Sequence, residues 1–178
     1  MEIIYEENYS PMFLYAMKFT KDKDLIKDMI QELFIELIDS GKRLAKTDNI
    51  RFYLLKALRN KLLFQLEKKV KQETNSRNAI EFNLVDSIET QLIQKEVTDS
   101  VKRKITSAIQ KLSAKQQEVI YLRFYHEMPY VEIADLYDVE IQTVRNLMTR
   151  AIKQLKEDLG NKQVSNQMIL LMLNLNNF

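Results

Sequence analysis

The stretch that decides the fold is Tyr130–Lys156, YVEIADLYDVEIQTVRNLMTRAIKQLK. Tyr130, Ile133, Ala134 and Tyr137 fall on one face of a short predicted helix, and the small Ala134 lets a following helix cross closely over it. Asp138-Val139-Glu140 is a three-residue turn. In the next segment Val144, Leu147, Met148, Ala151, Ile152 and Leu155 recur at helical spacing and form a stripe to be buried. That leaves Gln142, Thr143, Arg145, Asn146, Thr149, Arg150 and Lys153 outward, with no acid between Ile141 and Lys156. The pattern predicts a helix-turn-helix. Its outward side chains are the types that read a major groove, since Arg pairs with guanine, Asn and Gln match adenine, and Thr meets a thymine methyl or a phosphate.

Upstream, Ser113-x-x-Gln116 has the form of a capping box opening a helix that carries Val119, Ile120, Leu122 and Phe124, and another helix is expected from about 97 to 112. From about 70 to 93 periodicity weakens and Gln, Asn, Ser, Thr and Glu dominate, as in a partly ordered linker. In the first half, Ser10-Pro11 is read as a helix start with Pro at the first helical position. Asp24 is read as the cap of a second helix, whose core set is Ile26, Met29, Ile30, Leu33 and Leu37. This helix ends near Ser40-Gly41, and a polar loop with Lys42, Arg43, Lys46, Thr47, Asp48 and Asn49 follows. A third helix runs from about 50 to 69, burying Leu55, Leu58 and Leu62 and presenting Phe52, Tyr53, Lys56, Arg59, Asn60 and Leu63 on an adjacent face.

With 178 residues, 46% of them hydrophobic, two glycines and two prolines, the chain is expected to be all-α, as two small helical domains joined by a flexible linker. The boundaries expected are 1–70, a linker over 71–95, 96–160, and a tail over 161–178. Charge is uneven: residues 1–37 carry 4 basic and 8 acidic groups, 38–72 carry 10 and 3, and 73–101 carry 2 and 6. Two basic surfaces separated by an acidic stretch suit a chain that touches a polyanion twice.

Several classes are excluded. Cys is absent and His126 is the sole histidine, which leaves no disulfide framework, thiol nucleophile, Cys/His metal site or His-based triad. Glu6-Glu7 and Asp22-x-Asp24 lack a partner base, a phosphate loop or metal-ligand spacing, so no enzyme, cofactor or metal is expected. The N-terminus lacks a secretory pattern, and the longest apolar run, Met168 to Leu173, falls far short of the ~20 residues that span a bilayer, so a cytoplasmic protein without membrane insertion is expected. That run is read as a short terminal helix that docks.

Asp24-Leu25-Ile26-Lys27-Asp28-Met29-Ile30-Gln31-Glu32-Leu33-Phe34 and Phe52-Tyr53-Leu54-Leu55-Lys56-Ala57-Leu58-Arg59-Asn60 resemble region 2 of the extracytoplasmic-function group of the sigma-70 family. Gln117-Glu118-Val119-Ile120-x-Leu122-Arg123, Tyr130-x-Glu132-Ile133-Ala134 and Thr143-Val144-Arg145 resemble its region 4, so the resemblance covers nearly all of the chain to about Gly160. It implies a transcription initiation factor that binds core RNA polymerase and promoter DNA. Asp28, Gln31, Glu32, Phe34 and Ile35 would face the clamp helices of the largest subunit, Phe34 and Ile35 being apolar on a face not needed for the local core. Lys42, Arg43, Lys46, Asn49, Tyr53, Lys56, Arg59 and Asn60 would serve the −10 element, the loop holding a flipped base. The recognition helix would read the −35 element while its domain binds the flap tip of the second-largest subunit. The linker acids Glu73, Glu81, Asp86 and Glu89 would enter the polymerase channel, and an anti-sigma protein is a partner common in the family. Met1 falls within the family's first helix, so that helix is expected to be shortened. Tyr53 stands for the usual Trp, Asp138 for a small turn residue and Glu140 for a Ser cap, so the promoter sequence does not carry over. The alternative is a stand-alone helix-turn-helix regulator, with residues 1–70 as a sensing or dimerising domain.

Overall fold

The structure, a computed structural model, describes residues 2–40, 49–73, 82–84 and 99–159. These form two compact units, Met1–Glu81 and Phe82–Phe178, and the described residues are helical with no strand.

The first unit holds α1 (Glu2–Ala16), α2 (Lys23–Ser40) and α3 (Ile50–Glu73), each packed against the other two. α1 does not start at Ser10-Pro11. It begins at Glu2 and runs through Pro11, which costs one backbone hydrogen bond inside the helix. Packing on both sides of the proline offsets that loss: Met12, Tyr15 and Ala16 are buried beyond it, and the rings of Tyr5, Tyr9 and Phe13 follow one another at 5.3 and 5.9 Å. The cap of α2 is likewise Asp22 and not Asp24. Asp22 Oδ1 accepts from the Leu25 N–H at 3.1 Å and its carbonyl accepts from Ile26 at 3.2 Å, while Asp24 is an exposed first-turn acid paired with Lys27.

Ile26, Met29, Ile30, Leu33 and Leu37 of α2 are buried, as are Leu55, Leu58 and Leu62 of α3, joined by Leu54. α3 starts under a side-chain cap, with Asn49 Oδ1 accepting from the Phe52 N–H at 3.0 Å. It extends to Glu73, four residues past the expected end. Lys61 bridges α3 to α2, its ammonium 3.0 Å from Glu32 Oε2 and 2.7 Å from Glu36 Oε1.

The second unit holds α4 (Asp99–Gln110), α5 (Ala114–Phe124), α6 (Tyr130–Tyr137) and α7 (Ile141–Leu159). α7 is its spine, contacting each of the other three. The capping box forms: Ser113 Oγ accepts from the Gln116 N–H and Gln116 Oε1 accepts from the Ser113 N–H at 2.9 Å. Lys111 and Asp158 close the far end at 2.6 Å. Within the expected linker, Phe82 and Leu84 are buried.

Candidate nucleic-acid interface

The approach to α6 is set by Arg123. Its guanidinium donates to the carbonyls of Glu127 at 3.4 Å and Met128 at 3.2 Å, and lies over the Tyr130 ring at 5.4 Å. The chain reverses there through Glu127 at φ 54°, and Pro129 then opens α6, its carbonyl accepting from Glu132 and Ile133 at 3.0 and 3.1 Å.

α6 is eight residues long and stops at Asp138, which sits in the left-handed region at φ 54°, ψ 52°. The Val139 N–H reaches back to Ala134 O at 3.0 Å and the Asp138 N–H to Asp135 O at 3.3 Å, the pair of bonds that defines a Schellman turn. Asp tolerates this backbone better than most residues because its short polar side chain bonds locally. The turn therefore keeps its shape without a glycine, and the Glu140 carbonyl accepts from Thr143 at 2.9 Å as α7 begins.

Val144, Met148, Ala151, Leu155 and Leu159 bury one stripe of α7, with Leu147 and Ile152 half-buried at its margins. Each large side chain so buried contributes ~1.5–3 kcal/mol, enough to fix the rotation of the helix about its axis. The consequence is on the opposite face: Gln142, Thr143, Arg145, Asn146, Thr149, Arg150 and Lys153 are all exposed. Gln142 Nε2 donates to Asn146 Oδ1 at 3.1 Å, ordering two amides one turn apart. Lys153 lies 3.8 Å from Glu157, a long and solvated pair worth little, so a phosphate could replace the carboxylate at small cost.

In the first unit the expected residues divide. Asp28, Gln31 and Ile35 are exposed on α2, and Ile38, one turn beyond Ile35 and 57% exposed, extends the same apolar strip unforeseen. Glu32 is exposed but engaged by Lys61. Burial opposes the Lys61 charge, yet the hydrogen bonds to Glu36 and Glu32 outweigh it and raise its pKa above the usual 10.5. Phe34 is corrected. It is 5% exposed, with its ring edge-on to Tyr5 at 4.9 Å, and belongs to the core between α1 and α2.

Lys42, Arg43 and Lys46 lie outside the described residues, as do the linker acids Glu81, Asp86 and Glu89, the side chain of Glu73 and the tail beyond Leu159. Asn49, Tyr53 and Asn60 are exposed, while Lys56 and Arg59 are half-buried, the Lys56 ammonium standing 5.7 Å from the Phe52 ring centre. Among the described residues no group of Asp, Glu and His side chains is placed to hold a metal ion, and no helix is long and apolar enough to cross a membrane.

Sequence reading gave Arg123, Lys61 and Gln117 no role of their own; Arg123 and Gln117 enter it only within a motif. The partners of Lys61 lie 25 and 29 positions away, and that of Gln117 33 positions away, beyond any local pattern.

A helix-turn-helix with one outward row of amides, hydroxyls and cations is the arrangement that helical DNA-recognition domains use. Residues 108–157 match the family described as Sigma-70, region 4. The fold is similar to that of the sigma factor RpoE from Bartonella quintana, solved in complex with the anti-sigma factor NepR, at 19% identity and a TM-score of 0.62 over 90% of this chain and 97% of that one. No curated protein matches the chain. Residues 108–157 are thus similar to a sigma-70 region 4 domain, and the chain shares the helical fold of a sigma factor.

Proposed function

We propose that this chain carries core RNA polymerase to promoters, its second unit reading the −35 element through α7 and its first unit holding the −10 element for opening. The observation that carries this reading is the acid-free, exposed row from Gln142 to Lys153, on a helix whose other side is fixed by the core of a region 4 domain. Arg145, Asn146, Thr149 and Arg150 read base edges, and Gln142, Thr143 and Lys153 flank them. Tyr53, Arg59 and Asn60 on α3, with Asn49, Lys56 and the preceding Lys42, Arg43 and Lys46, attend the strand that opens. Stacking on an aromatic or Arg plane gives ~1–3 kcal/mol per base, on the scale of the few kcal/mol that unpairing a base costs.

On the same reading α2 offers Asp28, Gln31, Glu32, Ile35 and Ile38 to the clamp helices of the largest subunit, and the second unit meets the flap tip. Phe34 supports that surface from beneath. Residues 1–70 and 96–160 are then the two working domains, 71–95 joins them, and no catalytic role is assigned. The protein works in the cytoplasm, where the polymerase is. The complex of RpoE with NepR supports an anti-sigma partner for this chain.

The test is reconstitution. Purified chain added to bacterial core enzyme should bind it in a pull-down at low and moderate salt, and should convert it to promoter-specific transcription. Duplex binding without polymerase, and no such conversion, would instead identify a stand-alone regulator.

A further inference from the structure

We propose that Phe64 is a second stacking platform for the strand that opens, taking the face of a base farther along α3 than Tyr53 does. The inference rests on the function proposed above and adds a residue to the site described there.

A lone apolar side chain in solvent is ordinary on a helical protein, so exposure by itself says nothing of Phe64. Its exposure is nevertheless large, at 67%, and among the described phenylalanines it is the one that is exposed. Its place on the helix is more telling. Tyr53, Asn60 and Phe64 are spaced by about two turns and then one, so the three side chains lie within roughly 40° of one line along α3. That line runs opposite the buried Leu54, Leu55, Leu58 and Leu62, and Tyr53 and Asn60 are exposed on it as well.

The surroundings are cationic. α3 carries seven Lys and Arg side chains against Glu67 and Glu73. Lys61 is engaged by Glu32 and Glu36, and Lys69 lies 3.8 Å from Asp22, but Lys68 is exposed one turn beyond Phe64. An aromatic ring among cations on an exposed face is how single-strand binding proteins hold their ligand, the cations following the backbone and the ring taking a base. Glu67, three residues on and exposed, disfavours a phosphate beside the ring, which leaves a base face as its ligand. In a closed duplex those faces are stacked on one another, so Phe64 gains a partner only once the strand has opened. Set roughly 16 Å apart along the helix, Tyr53 and Phe64 take different bases, about five apart if the strand between them stays stacked and fewer if it is drawn out.

The experiment uses the full chain bound to core polymerase and a forked promoter fragment whose −10 element is single-stranded. Phe64→Ala and Phe64→Leu should each weaken binding to the fork about 5- to 150-fold, the factor that corresponds to one stacked base, while Phe64→Trp should keep it. Binding to core enzyme and to a closed duplex carrying only the −35 element should not change. Removing single bases from the open strand should then locate the contact. At one position the wild type should lose affinity by the same factor while Phe64→Ala is indifferent, and that position should differ from the one to which Tyr53→Ala is indifferent. Equal binding of wild type and Phe64→Ala to the fork overturns the proposal. So does full binding by Phe64→Leu, which would make the contact merely apolar, or loss of core enzyme binding, which would make Phe64 a polymerase contact. A wild-type chain that binds neither core enzyme nor the fork sinks the function proposed above and this inference with it, whereas a wild type that binds the fork no better than Phe64→Ala sinks this inference alone.

Discussion

Asp138 is a left-handed residue that is not glycine, and its position between α6 and α7 makes it a direct probe of the turn. Asp138→Gly should leave the second unit unchanged or up to about 1 kcal/mol more stable, whereas Asp138→Val should cost ~1–3 kcal/mol, because a β-branched side chain cannot take that backbone without strain. Denaturant melts of the full chain, followed by helicity, would show it; equal stability of the two variants would mean that the turn takes another shape. Lys18 is a second such residue. It is 8% exposed, and burial, reinforced by the nearby Lys21 charge, lowers its pKa to about 8. Between about 8 and 10.5 the unfolded chain holds a proton that the folded chain has released, so stability rises with pH across that window. Lys18→Met should therefore stabilise the first unit at pH 7, on the order of 2–3 kcal/mol, and the gain should shrink toward pH 10. A gain that stays constant with pH would show that the charge of Lys18 is not its cause.

At the scale of elements, what could be read from the sequence was what local chemistry writes. Ser113 and Gln116 cap α5 three residues apart, and the apolar stripe of α7 has one period throughout, so both were predictable from neighbours alone. Two of the errors, the start of α1 and the placing of Phe34, share one cause. Pro11 favours a helix start locally, but contacts with α2 and α3 hold the helix together across it. Starting α1 at Ser10 left Tyr5 out of account, and without Tyr5 nothing covered Phe34, which then looked available to a partner. Phe34→Ala should accordingly destabilise the first unit by ~3–5 kcal/mol, while Ile35→Ala should barely change its melt. Comparable losses from both would put Phe34 back on the surface. The join between α4 and α7 was also invisible, since Lys111 and Asp158 are 47 positions apart. The hydrogen bond from Lys111, then that from Gln154, holds the Asp158 carboxyl below its usual 3.8. That stabilisation is complete above the unfolded value and fades as pH falls through the folded one. Wild type and Lys111→Met should thus differ in stability at neutral pH and converge in acid; a difference that persists there would assign the effect to packing of the Lys stem.

At the scale of the whole molecule, the opposing charge blocks along the chain have a physical consequence only if the two basic surfaces act at different steps. Arg150 stands on α7 in the second unit and Arg59 on α3 in the first, in separately packed cores. Substitutions in independent sites add, usually within ~0.3–0.5 kcal/mol, whereas substitutions at one shared step do not. Arg150→Ala should weaken holoenzyme binding to duplex promoter by ~1–3 kcal/mol, concentrated at one base pair of the upstream element. Arg59→Ala should leave that binding nearly intact and lower the fraction of promoter that becomes reactive to single-strand probes. Lys153→Ala should act differently from both, reducing affinity evenly across sequences and lowering the salt slope by about one counterion, as expected of a phosphate contact. Measured together, binding and opening should respond to Arg150→Ala and Arg59→Ala in opposite proportion, and the double variant should show the sum. If instead the two single variants depress both assays alike, the cationic faces serve one common contact, and the division of labour between the two helical units is wrong.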